Sequence, residues 1–142
     1  MWISEYILKL DTVAAGCMWT SYPLHQFLHS LNLKEKNVLE FGSGGSTVFF
    51  LKRIANLLTF EHSNVWIEKL KPKLQTYDNW KINSVSYVSR ETVQNAHEEY
   101  LRGLEAVGDS SLDLVLVDGR HRVECIRASI PKVKKSGYII LD

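Results

Sequence analysis

One stretch of this sequence constrains the fold more than any other part of it. An apolar run reaches an acidic residue, turns through glycines and then opens a helical pattern: Val38-Leu39-Glu40-Phe41-Gly42-Ser43-Gly44-Gly45-Ser46-Thr47. Glycine allows a sharp turn, including positive φ, and lets a bound molecule approach the backbone closely. A strand that feeds a helix through such a turn is typical of the ligand-binding corner of a parallel sheet.

Strand and helix patterns alternate along the rest of the chain. Apolar runs predict five strands, at 37–41, 57–60, 82–88, 112–117 and 138–141. The later helices are predicted over 91–107 and 122–135, with Pro131 as a kink or a break. This alternation predicts an α/β fold, a doubly wound and mostly parallel sheet of order 3-2-1-4-5 with helices on both faces. We expect one domain, in which residues 1–34 are a helical cover and residues 35–142 a Rossmann-like core.

Composition excludes several classes of protein. The chain has 142 residues and a net charge of +1, so there is no basic excess to predict binding of nucleic acid. No apolar run is long enough to predict a membrane helix, and the first residues are not typical of a signal peptide. Cys17 and Cys125 are far apart and form neither a disulfide framework nor a zinc motif. We therefore expect a cytoplasmic protein without a membrane partner.

The residues around the glycine turn limit the classes of ligand that it can bind. No lysine follows the glycines, as a phosphate-binding Walker loop requires, and Thr47 stands where the dinucleotide fingerprint has its third glycine. Glu40 would repel a pyrophosphate but suits a ligand with hydroxyls and positive charge. Glu61 follows the second strand, roughly 20 residues after the turn, where an acidic residue holds ribose hydroxyls in nucleotide-binding folds.

Three segments together carry a family resemblance. They are 38–47, Thr59-Phe60-Glu61-His62, and 114–122 with the later strand 137–142. In these segments the chain resembles the class I S-adenosylmethionine-dependent methyltransferases, over nearly all of residues 20–142. The resemblance implies S-adenosylmethionine as the cofactor, with Glu61 at the ribose and Ser89 near the adenine. It also implies that the methionine portion contacts Glu40, Gly42, Ser43, Gly44 and Gly45.

A second polar cluster follows the fourth strand. Asp118 is expected to contact the cofactor and to position the acceptor, and His121 could act with it as a general base. Two other roles stay open, with Asp118 capping the next helix and His121 bonded within the turn. Some members of the family bind a divalent cation at the ends of strands four and five, where Asp118 and Asp142 stand. We nevertheless predict no metal.

The resemblance also implies more strands than this sequence holds. The family's sheet normally continues after strand five, whereas this sequence stops at Asp142. We expect either a fragment, a cover from the N-terminal segment, or a homodimer through the apolar edge at residues 138–141. The predicted function is methyl transfer to a small-molecule acceptor. Two alternatives are a non-catalytic interaction module and a nicotinamide-dependent oxidoreductase, and Glu40 and Thr47 argue against the latter.

Overall fold

A single sheet of five parallel strands organises the protein in the computed structural model, which describes residues 11–54, 56–87 and 95–142. The strand order is β3-β2-β1-β4-β5, as the sequence predicts. The strands are β1 Asn37–Phe41, β2 Asn56–Glu61, β3 Trp80–Ser84, β4 Leu112–Val117 and β5 Val133–Leu141. The helices are α1 Thr12–Ala15, α2 Tyr22–Ser30, α3 Gly45–Leu51, α4 Asn64–Leu74, α5 His97–Tyr100 and α6 Arg122–Ser129, with 3-10 turns at Leu104–Ala106 and Ile130–Lys132.

The two central strands, β1 and β4, are buried on both faces. Along β1 the side chains alternate, so that Val38 belongs to a core shared with α2, α3 and α4, while Leu39 and Phe41 belong to the core on the other face. This pattern is typical of parallel strands covered by helices on both sides. The same alternation places Glu40 on the face of the sheet that carries α3.

Two predicted helices are shorter than the sequence pattern indicates. Of the helix predicted over 91–107, the described part contains only α5 and a 3-10 turn, and Gly103, with a φ of 95°, separates them. The helix predicted over 122–135 ends at Ser129, because Pro131 follows and has no N–H to donate. The chain enters β5 at Val133, five residues earlier than predicted, through a register irregularity against β4.

β5 is the outermost strand on its side of the described sheet. Tyr138 and Leu141 are about half exposed there, and the ring of Phe27 from α2 packs edge-on against Tyr138 at 5.3 Å. The expectation that a second copy covers this edge stays a prediction. Within residues 11–54, 56–87 and 95–142, none of the helices has the length and apolar character needed to cross a bilayer.

Candidate cofactor site

The glycine turn begins with a residue that only glycine suits. Gly42 has a φ of 91°, and a Cβ built there would lie 2.9 Å from the carbonyl oxygen of Asp118. The close approach joins the end of β1 to the loop after β4, where the N–H of Asp118 donates to the carbonyl of Phe41 at 2.9 Å. The two polar clusters predicted from the sequence therefore lie side by side.

The next two glycines face different surroundings. A Cβ on Gly44 would meet no atom within 4 Å. A Cβ on Gly45 would lie only 1.9 Å from the carbonyl oxygen of Cys17, so the N-terminal segment packs directly against this residue. Gly44 thus presents bare backbone to open space, whereas the small size of Gly45 admits another part of the chain.

Glu40 is fully buried and hydrogen-bonded to three hydroxyl groups. Its Oε1 accepts from Thr47 at 2.6 Å and from Thr59 at 2.8 Å, and its Oε2 accepts from Ser46 at 3.0 Å. The hydroxyl of Thr47 also accepts from the N–H of Gly44 at 3.0 Å, so the carboxyl group supports the glycine turn from beneath. Burial raises the pKa of Glu40 to about 7, against the lowering effect of the three hydroxyls.

Glu61 bridges the glycine turn and the start of α4. One carboxylate oxygen accepts from both the N–H and the hydroxyl of Ser43, and the other accepts from the N–H groups of His62 and Ser63 at 2.8 and 2.7 Å. The side chain is 2% exposed. Glu61 therefore lies beside the turn, as the sequence predicts, with both of its oxygens engaged by protein donors. Its ribose-binding role stays a prediction.

A cavity of about 490 Å³ opens next to the turn. Its walls come from the N-terminal segment, the glycine turn, α2, α4 and the ends of β4 and β5. Of the residues predicted to bind cofactor, four line it: Ser43, Gly44, Gly45 and Asp118. Glu40, Gly42 and Glu61 are not among its lining residues, and Ser89 lies outside the described residues.

The carboxylates at the ends of β4 and β5 border this cavity and a second, more open one of about 470 Å³. Arg122 donates to Asp118 at 3.2 Å and also to the backbone carbonyl of Asp142, while Thr20 donates to the side chain of Asp142 at 3.0 Å. Burial, and then the neighbouring charge of Asp142, raise the pKa of Asp118. Across the part of the chain that the structure describes, no three potential metal ligands converge.

His121 lies on the other side of the loop after β4. It is 8% exposed, adopts a left-handed φ of 49° at the start of α6, and packs among the rings of Tyr87 and Tyr100. It does not line the 490 Å³ cavity, although Asp118 does. Of the two predicted catalytic residues, only Asp118 therefore borders this cavity, and the role of His121 stays a prediction.

Several residues that line the cavity were not predicted as site residues. From the N-terminal segment they are Asp11, Thr12, Met18, Trp19 and Thr20, and from α4 they are Trp66 and Lys69. Residues 11–20 have neither a glycine-rich motif nor a regular apolar period, so no pattern in the sequence marked them as part of the site. A detectable feature was Asp11 before Thr12, since Asp is a favoured N-cap residue.

The fold agrees with solved structures of known proteins. The chain is similar to a methyltransferase-like protein from Silicibacter pomeroyi DSS-3, with 23% identity, 88% of this chain and 72% of that chain covered, and a TM-score of 0.61. It is also similar to Aeropyrum pernix fibrillarin with bound S-adenosyl-L-methionine, with 15% identity, coverages of 92% and 54%, and a TM-score of 0.58. The chain has the class I methyltransferase fold.

A third solved structure with this fold is a phosphoethanolamine N-methyltransferase from Haemonchus contortus in complex with phosphoethanolamine and S-adenosylhomocysteine. It shares 20% identity over 96% of this chain, with a TM-score of 0.59. The present chain spans only 29% of that enzyme and 54% of the fibrillarin. No protein-family model and no curated protein sequence matches the chain. These likenesses therefore concern the fold.

Proposed function

We propose that this chain binds S-adenosylmethionine at the glycine turn and transfers its methyl group to a small-molecule acceptor. The observation that supports this most directly is the bare backbone of Gly44 at the wall of a 490 Å³ cavity, between β1 and the loop that carries Asp118. In open parallel sheets, ligands bind at this position, outside the carboxyl ends of the strands at the switch point.

The walls of the cavity fit this cofactor chemically. Its volume lies within the range of roughly 300–1,000 Å³ that is usual for small-molecule sites. Charges of both signs line it, with Lys69 of α4 paired to Asp11, and with Asp118 and Asp142 at the ends of β4 and β5, which suits an amino-acid tail and a sulfonium. Ser43 and Gly44 would contact the methionine portion, while Glu61, behind Ser43, would accept from the ribose hydroxyls in exchange for one of its present protein donors.

The main contribution of the protein to methyl transfer is to align the acceptor with the methyl group. The cofactor supplies an electrophilic methyl on a sulfonium, and correct placement of the acceptor accounts for much of the acceleration. Asp118 would orient the acceptor and receive a proton from it, because its raised pKa makes it a stronger base than an ordinary aspartate. The acceptor would enter through the open 470 Å³ cavity, which shares Asp118 and Trp19 with the cofactor cavity.

Calorimetric titration tests the proposal. We expect S-adenosylmethionine and its demethylated product, S-adenosylhomocysteine, to bind one per chain, and NADH to give no saturable heat. Saturable binding of NADH alone would support the oxidoreductase alternative. Absence of binding at millimolar S-adenosylhomocysteine would refute the proposal.

Turnover separates an enzyme from an interaction module with the same fold. We expect tritium from methyl-labelled S-adenosylmethionine to appear in acceptors from a small-molecule extract, and Asp118→Asn to reduce that transfer by a larger factor than it reduces the affinity for the cofactor. Cofactor binding with no labelled product from any extract would favour the non-catalytic module. The two free cysteines agree with a reducing compartment, so we place the activity in the cytoplasm.

A further inference from the structure

The N-terminal segment at residues 11–20, here called the strap, crosses one side of the cavity. We propose that the strap closes the amino-acid end of the cofactor site and that Asp11 and Gly45 are positioning residues that hold it there. The inference rests on the proposed function, because it assigns the strap to one half of the proposed ligand. It differs from the sequence-based assignment of Gly45, which treats this glycine as a ligand contact.

The strap packs against α3 at Gly45. A Cβ at this position would lie 1.9 Å from the carbonyl oxygen of Cys17 and 3.0 Å from that of Thr12. Both neighbours are backbone atoms, which cannot move aside as a flexible side chain can. The strap makes a second close contact with α3 at Gly16, where an added Cβ would lie 3.0 Å from the side chain of Val48. Any side chain at position 45 must therefore displace the strap.

Asp11 fixes the beginning of the strap to α4. Its carboxylate lies 3.1 Å from the ammonium of Lys69 and 3.2 Å from that of Lys73. The same carboxylate accepts from the N–H groups of Val13 and Ala14, which caps α1. The other end of the strap is held where Thr20 donates to Asp142 at 3.0 Å. The strap is thus bonded to the rest of the protein at both ends and packs against α3 in the middle.

The strap faces only one half of the proposed ligand. Thr12, Met18 and Trp19 line the cavity beside the glycine turn, whereas Glu61 lies behind Ser43 and is not among the lining residues. With the ribose at Glu61 and the methionine portion at Ser43 and Gly44, the amino-acid tail would lie on the side of the strap and the adenine on the side away from it. Displacement of the strap should therefore weaken the binding of ligands that carry the amino-acid tail and should not affect the binding of ligands that lack it.

Two ligands and two matched pairs of variants test this. S-adenosylhomocysteine carries the amino-acid tail, and 5′-methylthioadenosine has the same nucleoside without it. Gly45→Ala is compared with Gly108→Ala, whose Cβ would meet nothing closer than 3.8 Å. Asp11→Asn is compared with Asp109→Asn, which removes an exposed ion pair with Lys132.

We expect Gly45→Ala to weaken the binding of S-adenosylhomocysteine about tenfold or more, because displacement of the strap moves the residues that contact the amino-acid tail. Asp11→Asn should weaken it roughly threefold, through faster dissociation and with loss of the effect at high salt. Neither variant should change the affinity for 5′-methylthioadenosine by more than about twofold, and the control variants should bind both ligands as the wild type does.

The inference would be overturned if Gly45→Ala and Asp11→Asn weakened the binding of both ligands equally, or if neither variant changed the affinity for S-adenosylhomocysteine. Either result would leave the proposed function intact. Failure of the wild-type chain to bind either ligand would instead refute the proposed function, and the inference with it. If Gly45→Ala does not fold, as judged by circular dichroism, Asp11→Asn decides the question alone, because its side chain is partly exposed at the surface.

Discussion

Ser43 and Glu61 are joined by two hydrogen bonds to a single carboxylate oxygen. The backbone N–H of Ser43 donates at 2.7 Å and its hydroxyl at 2.5 Å, so the loop after β1 and the end of β2 are held together at the glycine turn. Glu61 can therefore act on a ligand in two ways, by accepting from the ribose or by fixing the turn that contacts the methionine portion.

The first prediction separates these roles. Glu61→Ala should weaken S-adenosylhomocysteine by roughly 1–3 kcal/mol, as expected for loss of a hydrogen bond to a charged group. Ser43→Ala is the matched variant, since it keeps the backbone donor and removes only the hydroxyl. Calorimetry with S-adenosylhomocysteine and its 2′-deoxy analogue completes a thermodynamic cycle. A loss that is the same for both ligands would contradict direct contact between Glu61 and the 2′-hydroxyl.

The second prediction concerns pH and the buried carboxyl of Glu40. Burial raises its pKa from an ordinary value of 4.5 to about 7. Between these values the unfolded chain releases a proton that the folded chain keeps, so the contribution of Glu40 to stability falls as pH rises and levels off above pH 7. Relative to wild type, Glu40→Gln should gain about 3 kcal/mol in free energy of unfolding across this window, since each unit is worth about 1.4 kcal/mol.

Urea unfolding at pH 4.5, 5.5, 6.5 and 7.5 measures this difference. Glu68→Gln, on an exposed position of α4, is the control and should follow the wild type at every pH. A constant difference between Glu40→Gln and wild type across the window would show that Glu40 does not keep its proton.

The third prediction concerns Gly42. Its φ of 91° disfavours a side chain, and a Cβ would clash with the backbone of Asp118. Gly42→Ala should therefore lower the free energy of unfolding by about 2 kcal/mol or more. Chemical denaturation of this variant beside Gly108→Ala checks the value, and equal stability of the two would refute the account of the turn.

The fourth prediction joins Tyr100 to the loop after β4. The hydroxyl of this fully buried tyrosine accepts from the N–H of Arg120 at 3.1 Å and lies 2.1 Å from the position of a Cβ on Gly119. Gly119→Ala should destabilise the protein less in a Tyr100→Phe background, with a coupling of about 1 kcal/mol or more. Additive effects in a double-mutant cycle of unfolding free energies would contradict this packing.

The sequence predicted the sheet well, because strand period and glycine position carry local information. The run from Val38 to Phe41 is apolar except for Glu40, which is typical of a central parallel strand covered on both faces, and the glycines after it mark the turn. The same pattern indicated that Glu40 and Glu61 lie close to that turn. Glu40 belongs to the strand that leads into the turn, whereas the parallel pairing of β1 with β2 brings Glu61 to it, and the structure confirms both positions.

Other features depend on contacts between distant segments and could not be predicted in this way. The role of Gly45 is set by Cys17, and the environment of Glu40 is set by hydroxyls from α3 and β2. The start of β5 at Val133 is set by its pairing with β4, whereas the end of α6 at Ser129 has a local cause in Pro131, the break that the sequence indicates. Long-range packing therefore accounts for the surroundings of Gly45 and Glu40 and for the start of β5.

The central claim is that the glycine turn binds the cofactor, and amide chemical shifts test it most directly. In a titration of the labelled protein with S-adenosylhomocysteine, we predict saturable shift changes at Ser43, Gly44 and Gly45 with one ligand bound per chain. The amide signal of Gly108, which does not line the cavity, should not shift. Unchanged shifts at the turn with millimolar ligand, or saturable changes confined to another surface, would contradict the account.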